Sequence, residues 1–406
     1  MSIDAFASRM SALADVPSHA LRFADSIGAL VTGSRTREAR VLEGMYGGRT
    51  GAAYMAATMR LTELDDIDLR TCTTPSAVIV PVALDAAIRA AATPAMLARG
   101  LHAGYLATAR AAVGAGGIEV MAHGVWPTLV VAPAGAAAAS AALRGLPADR
   151  FAAAVRLGLA RAIARAGAPI APLPSRWWLF GESVAAGIAS AAAAEAGFTA
   201  DPYLDGDFAA AFADADDGDW GWISQKPVPT SRQGANALVA FRELVRDEAI
   251  DPRAIERVDV EVPPACARLI SQPLDLANRL SLITSAGFQL GAAAFAPALL
   301  AEVDRQPPFP DDVLAFAKRV SVAPSEALAA TFPREWGAHV VVELAGGRRY
   351  ERTQAAIHGD PHDPLSLDDI AAKYPLLERA LFDDAAAALS DADALSRTLA
   401  RLAAAA

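Results

Sequence analysis

Up to residue 225 the apolar positions recur at helical spacing, and beyond it they alternate in short runs, so the chain changes character partway along. Phe6, Met10, Leu13, Leu21, Phe23, Ile27 and Leu30 predict one helix over residues 4–31, interrupted at Pro17. A Gly/Arg loop follows, then helices over 52–64 and 82–92, with Pro75 and Pro81 bracketing the link between them. Thr93 suits an N-cap and Pro94 a first helical position, so 94–115 is a further helix. Trp126-Pro127-Thr128 leads into a long small-residue helix ending at Leu143, Asp149 is the expected N-cap of a helix over 151–166, and Pro169, Pro172 and Pro174 read as a rigid linker to a helix over 181–197. Helices this rich in Ala and Gly can approach closely. Past residue 244 the period becomes two: Val258-Asp259-Val260-Glu261-Val262, residues 338–344 and residues 349–352 predict antiparallel strands, with helices at 285–300 and 310–320 between them. From Leu365 the chain returns to helix. The expected fold is mainly α: a helical domain formed by both chain ends (1–225 and 355–406) with an inserted α+β lid (226–354).

The seam between the two patterns carries candidate chemistry. Residues 224–244 place Lys226 and Arg232 in a Pro-punctuated loop that runs into an amphipathic helix, with Ser231 just before it, an arrangement suited to holding a carboxylate or phosphate. Of 36 basic residues only Lys226, Lys318 and Lys373 are lysine, so a lysine in this loop points to a need for a compact ammonium that can shift its pKa. The ordinary alternative is a solvated surface lysine.

Hydrophobic residues make up 53% of the 406, which raises the question of a membrane protein until alanine is seen to supply the excess. The longest charge-free run, 124–143, contains Pro127, Pro133 and Gly135 and is read as a loop and buried helix rather than a span. The acidic N-terminal segment lacks the charge and apolar core of a signal peptide, so a cytoplasmic protein is expected. A net charge of −10 argues against a nucleic-acid surface, and Cys72 and Cys266 match no metal or redox spacing. Six scattered histidines give no paired metal spacing. No phosphate loop, dinucleotide fingerprint or nucleophile elbow occurs.

Several stretches, in this order, resemble the 2-methylcitrate dehydratase (MmgE/PrpD) family: Thr62-Glu63-Leu64-Asp65-Asp66, Thr74-Pro75-Ser76-Ala77-Val78, Trp126-Pro127-Thr128 with the Ala-rich helix after it, and Gly181 to Gly197. Lys226-Pro227-Val228-Pro229, Phe288-Gln289-Leu290, and Gly359-Asp360-Pro361 through to Lys373-Tyr374 complete the series. The resemblance implies the helical domain and inserted lid, a homodimer, and cofactor- and metal-free dehydration, decarboxylation or epimerisation of small carboxylates between domain and lid. The sequence departs from the family in its acid/base apparatus. Arg60, Thr74, Trp126 and Leu179 stand where the family has histidines, Leu290 stands for a tyrosine, and Arg176 for a lysine, while Asp65, Asp66, Lys226 and Thr128 remain.

Abstracting a proton next to a carboxylate needs a base within reach and cations that hold the carboxylate as charge spreads onto it. Lys226, Asp65, Asp66 and His123 are therefore the candidate catalytic residues, and Arg60, Arg176, Arg232, Thr128, Trp126, Ser231 and Leu290 the candidate substrate contacts. Trp126, Leu179 and Leu290 predict a pocket that takes one carboxylate flanked by an apolar group. The expected activity is that of a cofactor-free lyase or isomerase. The rivals are a non-catalytic member of the family acting as a binding or regulatory subunit, and a plain helical scaffold.

Overall fold

A computed structural model describes residues 2–123, 125–162, 175–206, 208–213 and 217–405. Their backbone forms two compact units. One takes the described residues up to Gln225 together with those from Leu365 onward; the other is Lys226–Pro364.

The first unit is helical apart from a two-residue pairing of Ile67 with Ser224 and Asp68 with Ile223. Pro17 ends the first helix rather than kinking it, giving Ile3–Ala12 and Ala20–Gly33 as separate helices. An additional helix, Arg37–Tyr46, occupies the stretch expected as a loop; Thr36 caps it by accepting the Ala39 N–H. The helix Ala52–Arg60 stops four residues short of expectation, at the start of the acidic segment. Pro81 does not break the next helix, which runs Pro75–Ala90. Thr93 caps Pro94–Gly114 as expected, through the Met96 N–H. Pro147, not Asp149, precedes Ala148–Leu159, and Asp149 sits in its first turn, where a carboxylate meets the positive end of the helix dipole. The expected 151–166 helix beyond 162 and the proline linker lie outside the described residues.

Small side chains let these helices press together. A Cβ on Gly187 would stand 2.4 Å from the Pro133 carbonyl oxygen, and one on Gly158 2.7 Å from the same atom. Glycine at both positions allows Ser175–Ala196 and Ala148–Leu159 to close on Pro127–Leu143. Two apolar clusters result, one around Phe23, Met55, Ile79 and Leu129 and one around Phe6, Leu106, Phe151 and Phe212.

The second unit holds a four-stranded sheet in the order Val320–Pro324, Ile255–Val262, Ala338–Leu344, Arg349–Gln354. Val258 pairs with Val342 and Val260 with Val340, so the inward valines of neighbouring strands stack. The strand Val320–Pro324, of which only Val320 falls within the expected 310–320 helix, joins parallel to Ile255–Val262. Arg352 binds Glu243 and Asp247, each at 2.6 Å, and so fastens the last strand to the helix Arg232–Asp247. The unit continues past the last strand to Pro364. Asp360 takes both oxygens to Arg232, at 2.7 and 2.9 Å, and keeps the returning chain with the sheet.

Candidate functional site

In the helical unit the segment 61–74, between the helices Ala52–Arg60 and Pro75–Ala90, is buried except for Arg70. It carries Glu63, Asp65, Asp66 and Asp68, none more than 6% exposed. Four carboxylates out of water within six residues are costly unless each is paired or hydrogen-bonded. The surrounding helices supply those partners.

Arg60, last in its helix and 2% exposed, donates to Asp65 through Nη1 and to Glu63 through Nη2 at 2.7 Å. Although burial opposes its charge, Asp65 and Glu63 outweigh it and hold the guanidinium firmly protonated. Arg176 reaches the same Glu63 oxygen at 3.4 Å while lying over the Trp126 ring, 4.6 Å from its centroid. Arg60, Trp126, Leu129, Arg176, Trp177 and Phe180 surround a narrow gap with no room for a water molecule. Two expected substrate cations and the expected aromatic wall are thus brought together, with the cations already facing protein carboxylates.

Asp66 points the other way, to the start of the next helix. Its Oδ1 accepts the Ser76 N–H at 2.9 Å; its Oδ2 accepts the Ser76 hydroxyl at 2.5 Å and the Tyr105 hydroxyl at 3.0 Å. Ser76 and Tyr105 also touch each other. Burial pushes the Asp66 carboxyl up to about 6, against the opposing pull of the Ser76 donors and with help from the Asp65 charge. Burial likewise drives the Tyr105 phenol well above its ordinary range, and Asp66 adds to it. The Tyr105 ring is 4.6 Å from Trp220 and 5.9 Å from His19, centroid to centroid. Thr128 accepts the Thr74 N–H at 3.0 Å, so it positions the residue before the helix that presents Ser76.

Two further ion networks brace the segment. Asp68 is fully buried, its carboxyl raised to about 6 by burial and opposed by Arg70. Arg70 and Arg110 bridge Asp219 at 3.0 and 2.5 Å. Asp25 accepts the Lys373 ammonium at 2.7 and 3.0 Å, the Tyr374 hydroxyl at 2.7 Å and the Gln225 amide at 3.0 Å. The same ammonium donates to the Leu64 carbonyl at 2.8 Å, inside the acidic segment.

In the other unit, Lys226 is 2% exposed. Arg232 departs from its expected part as a carboxylate clamp. Besides Asp360 it donates to Asn236 at 2.5 Å, and it lies over Trp336, 5.7 Å from the ring centroid, so its fork is occupied by its own unit. Ser231 precedes the helix without making a side-chain cap, and its backbone N–H reaches Ile283 O at 3.4 Å. Leu290 is 1% exposed within the helix Ala286–Phe295. The His123 side chain lies outside the described residues.

Ser76, Tyr105, Glu63 and Asp25 went unnamed as site residues in the sequence. Ser76 sits inside the quoted Thr-Pro-Ser-Ala-Val motif, and Asp25 is a lone acid among the apolar residues of its helix, which is a readable signal. Lys373 shares with Lys226 the distinction of being one of three lysines, so the same compositional reasoning applied to it. Tyr105 had no such mark. Among the described residues no group of three or more His, Cys, Asp or Glu side chains is placed to hold a metal ion, and no helix is long and apolar enough to cross a membrane.

Among curated proteins none matches the chain. A family comparison does: residues 228–396 match the MmgE/PrpD C-terminal domain, a stretch that begins two residues after Lys226 and takes in most of the second unit and the return to the first. That match supports membership in the MmgE/PrpD family.

Proposed function

We propose that the protein is a lyase or isomerase that removes a proton next to the carboxylate of a small acid, with Asp66 as the base. The family, which includes dehydratases and related enzymes, supports the coarse lyase-type reading. The observation that carries the finer one is the Asp66 carboxyl, raised to about 6 and held by two hydroxyls that can turn from donor to acceptor as its protonation changes. A base with that affinity takes a proton at neutral pH and releases it again, as either reaction requires. Asp65 faces Arg60, and its charge raises Asp66 by repulsion. In this reading the α+β unit is the inserted lid, Lys226 is its catalytic contribution as base or anion clamp, and the protein works as a cytoplasmic homodimer without a cofactor.

The test is a panel of mono-, di- and tricarboxylates incubated with the protein in D2O and followed by proton NMR. Exchange, elimination or epimerisation of one panel member, lost in Asp66→Asn without a fall in its melting temperature at neutral pH and lost in Lys226→Ala with little change in melting temperature, is the expected result. Undiminished turnover in Asp66→Asn sinks the assignment of the base.

A second reading has its own support. Arg60, Arg176 and Arg232, the cations expected on the substrate, face Glu63, Asp65 and Asp360 instead. A family member that binds a small acid or a partner without turning it over fits that economy of charge. Saturable binding with no proton exchange anywhere in the panel selects it.

A further inference from the structure

Four stretches of the helical unit meet at the Asp25–Lys373 pair: the helix Ala20–Gly33, the acidic segment, Gln225, and the returning end of the chain. Lys373 closes the short helix Leu367–Lys373, and its side chain is 1% exposed. Its ammonium donates to both oxygens of Asp25, at 2.7 and 3.0 Å, and to the Leu64 carbonyl at 2.8 Å. Leu64 is joined directly to Asp65 and stands two residues before Asp66. Tyr374, the next residue of the return, places its hydroxyl on the same carboxylate at 2.7 Å and its ring on Gly28, one turn along the helix from Asp25. A Cβ at Gly28 would stand 2.5 Å from that ring, so glycine leaves the room the ring needs.

A buried ion pair seldom repays its own desolvation, and apolar residues of the same size often serve stability as well. Apolar residues cannot grip a backbone carbonyl, whereas an ammonium has three donors to share between a carboxylate and the Leu64 oxygen. The acidic segment needs such a grip. Its backbone is irregular, with Glu63 and Cys72 at φ 54° and 58°, in the left-handed region that residues other than glycine seldom adopt. A backbone of that kind persists only where its surroundings fix it.

We propose that Lys373 and Tyr374 are positioning residues for the Asp66 site. The C-terminal return plugs into the seat formed by Asp25 and Gly28 and, through the Leu64 carbonyl, holds the acidic segment in its buried setting. The proposal rests on Asp66 being the base, and it gives the end of the chain a part in the chemistry without placing it on the substrate.

Asp25→Leu/Lys373→Met removes the pair without changing the net charge, and Gly28→Ala dislodges the Tyr374 ring without touching a charge. Each is made in the full-length protein with and without Asp66→Asn, and urea unfolding is measured from pH 3 to pH 8. The difference within each pair isolates Asp66, and in the wild type it should level off at about pH 6. With the segment loosened and water admitted, Asp66 should titrate closer to its ordinary 3.8, so the levelling should move down by at least about one pH unit in both backgrounds. A loss of stability by itself would not move it. Levelling at the wild-type pH in the double variant overturns the positioning role, and if that variant does not fold, the same outcome in Gly28→Ala overturns it. A wild type that levels off near 3.8 refutes the near-neutral base instead, and with it the site to be positioned.

Discussion

Asp66→Asn is expected to remove a pH dependence whose size follows from the site. In the folded chain the carboxyl titrates near 6, whereas its ordinary value is 3.8. Below pH 3.8 the group is protonated folded or unfolded and makes no difference. Between 3.8 and about 6 the unfolded chain has given up its proton while the folded chain still holds it, so stability falls as pH rises; above about 6 the loss is complete and constant. That gap is worth about 3 kcal/mol. Asparagine does not titrate, keeps the Ser76 N–H bond through its oxygen, and offers an NH2 group to the Ser76 and Tyr105 hydroxyls, which can turn to accept it. The wild type should therefore lose stability relative to Asp66→Asn by about 3 kcal/mol between pH 4 and 7, through this group alone. Urea unfolding followed by circular dichroism at half-unit pH steps measures that difference, and taking it between two variants cancels Asp68, whose raised carboxyl acts in the same sense. A difference that stays flat from pH 4 to 7 would show that Asp66 ionises normally, and the assignment of a near-neutral base would go with it.

Other consequences are simpler to state. His19, buried with neither ring nitrogen hydrogen-bonded, is held down to about 3 chiefly by burial, with the Arg22 and His102 charges adding to it, so it stays neutral when folded while the unfolded chain protonates below 6.5. Its contribution is present above pH 6.5 and lost as pH falls, the opposite sign to Asp66; His19→Phe should gain about 2 kcal/mol on wild type between pH 8 and pH 5, measured by the same titration. Lys373→Met strands the Asp25 carboxylate and should cost about 3–5 kcal/mol of unfolding free energy, measured by denaturant titration. Arg232→Lys cannot serve Asp360 and Asn236 together and should cost about 1–3 kcal/mol, without altering proton exchange in the substrate panel.

How far the sequence went is visible in particular residues. Helical and alternating periods located the main helices and the strands Ile255–Val262, Ala338–Leu344 and Arg349–Gln354, because each presents one apolar face and the period records which face that is. Pro81 and Pro133 misled or were silent, since a proline inside a helix is decided by whether neighbouring helices hold the turn around it. Arg37–Tyr46 was passed over because its only fully apolar contacts, at Ala39 and Leu42, leave Val41 and Met45 in solvent and blur the pattern.

The mainly helical character, the change of pattern after residue 225 and the acidic segment at 61–74 are all legible along the chain, because they are properties of sequence neighbours. Which acid is which was decided only by tertiary structure. Asp65 and Asp66 are adjacent, yet one faces the Arg60 guanidinium and the other the Ser76 and Tyr105 hydroxyls, brought in from positions 10 and 39 residues away. Tyr105 has no local signal, and nothing along the chain marks Gln225, Lys373 and Tyr374 as partners of Asp25. A pKa belongs to the three-dimensional surroundings of a carboxyl, its burial and its donors, and a string of residues contains those only after it has folded.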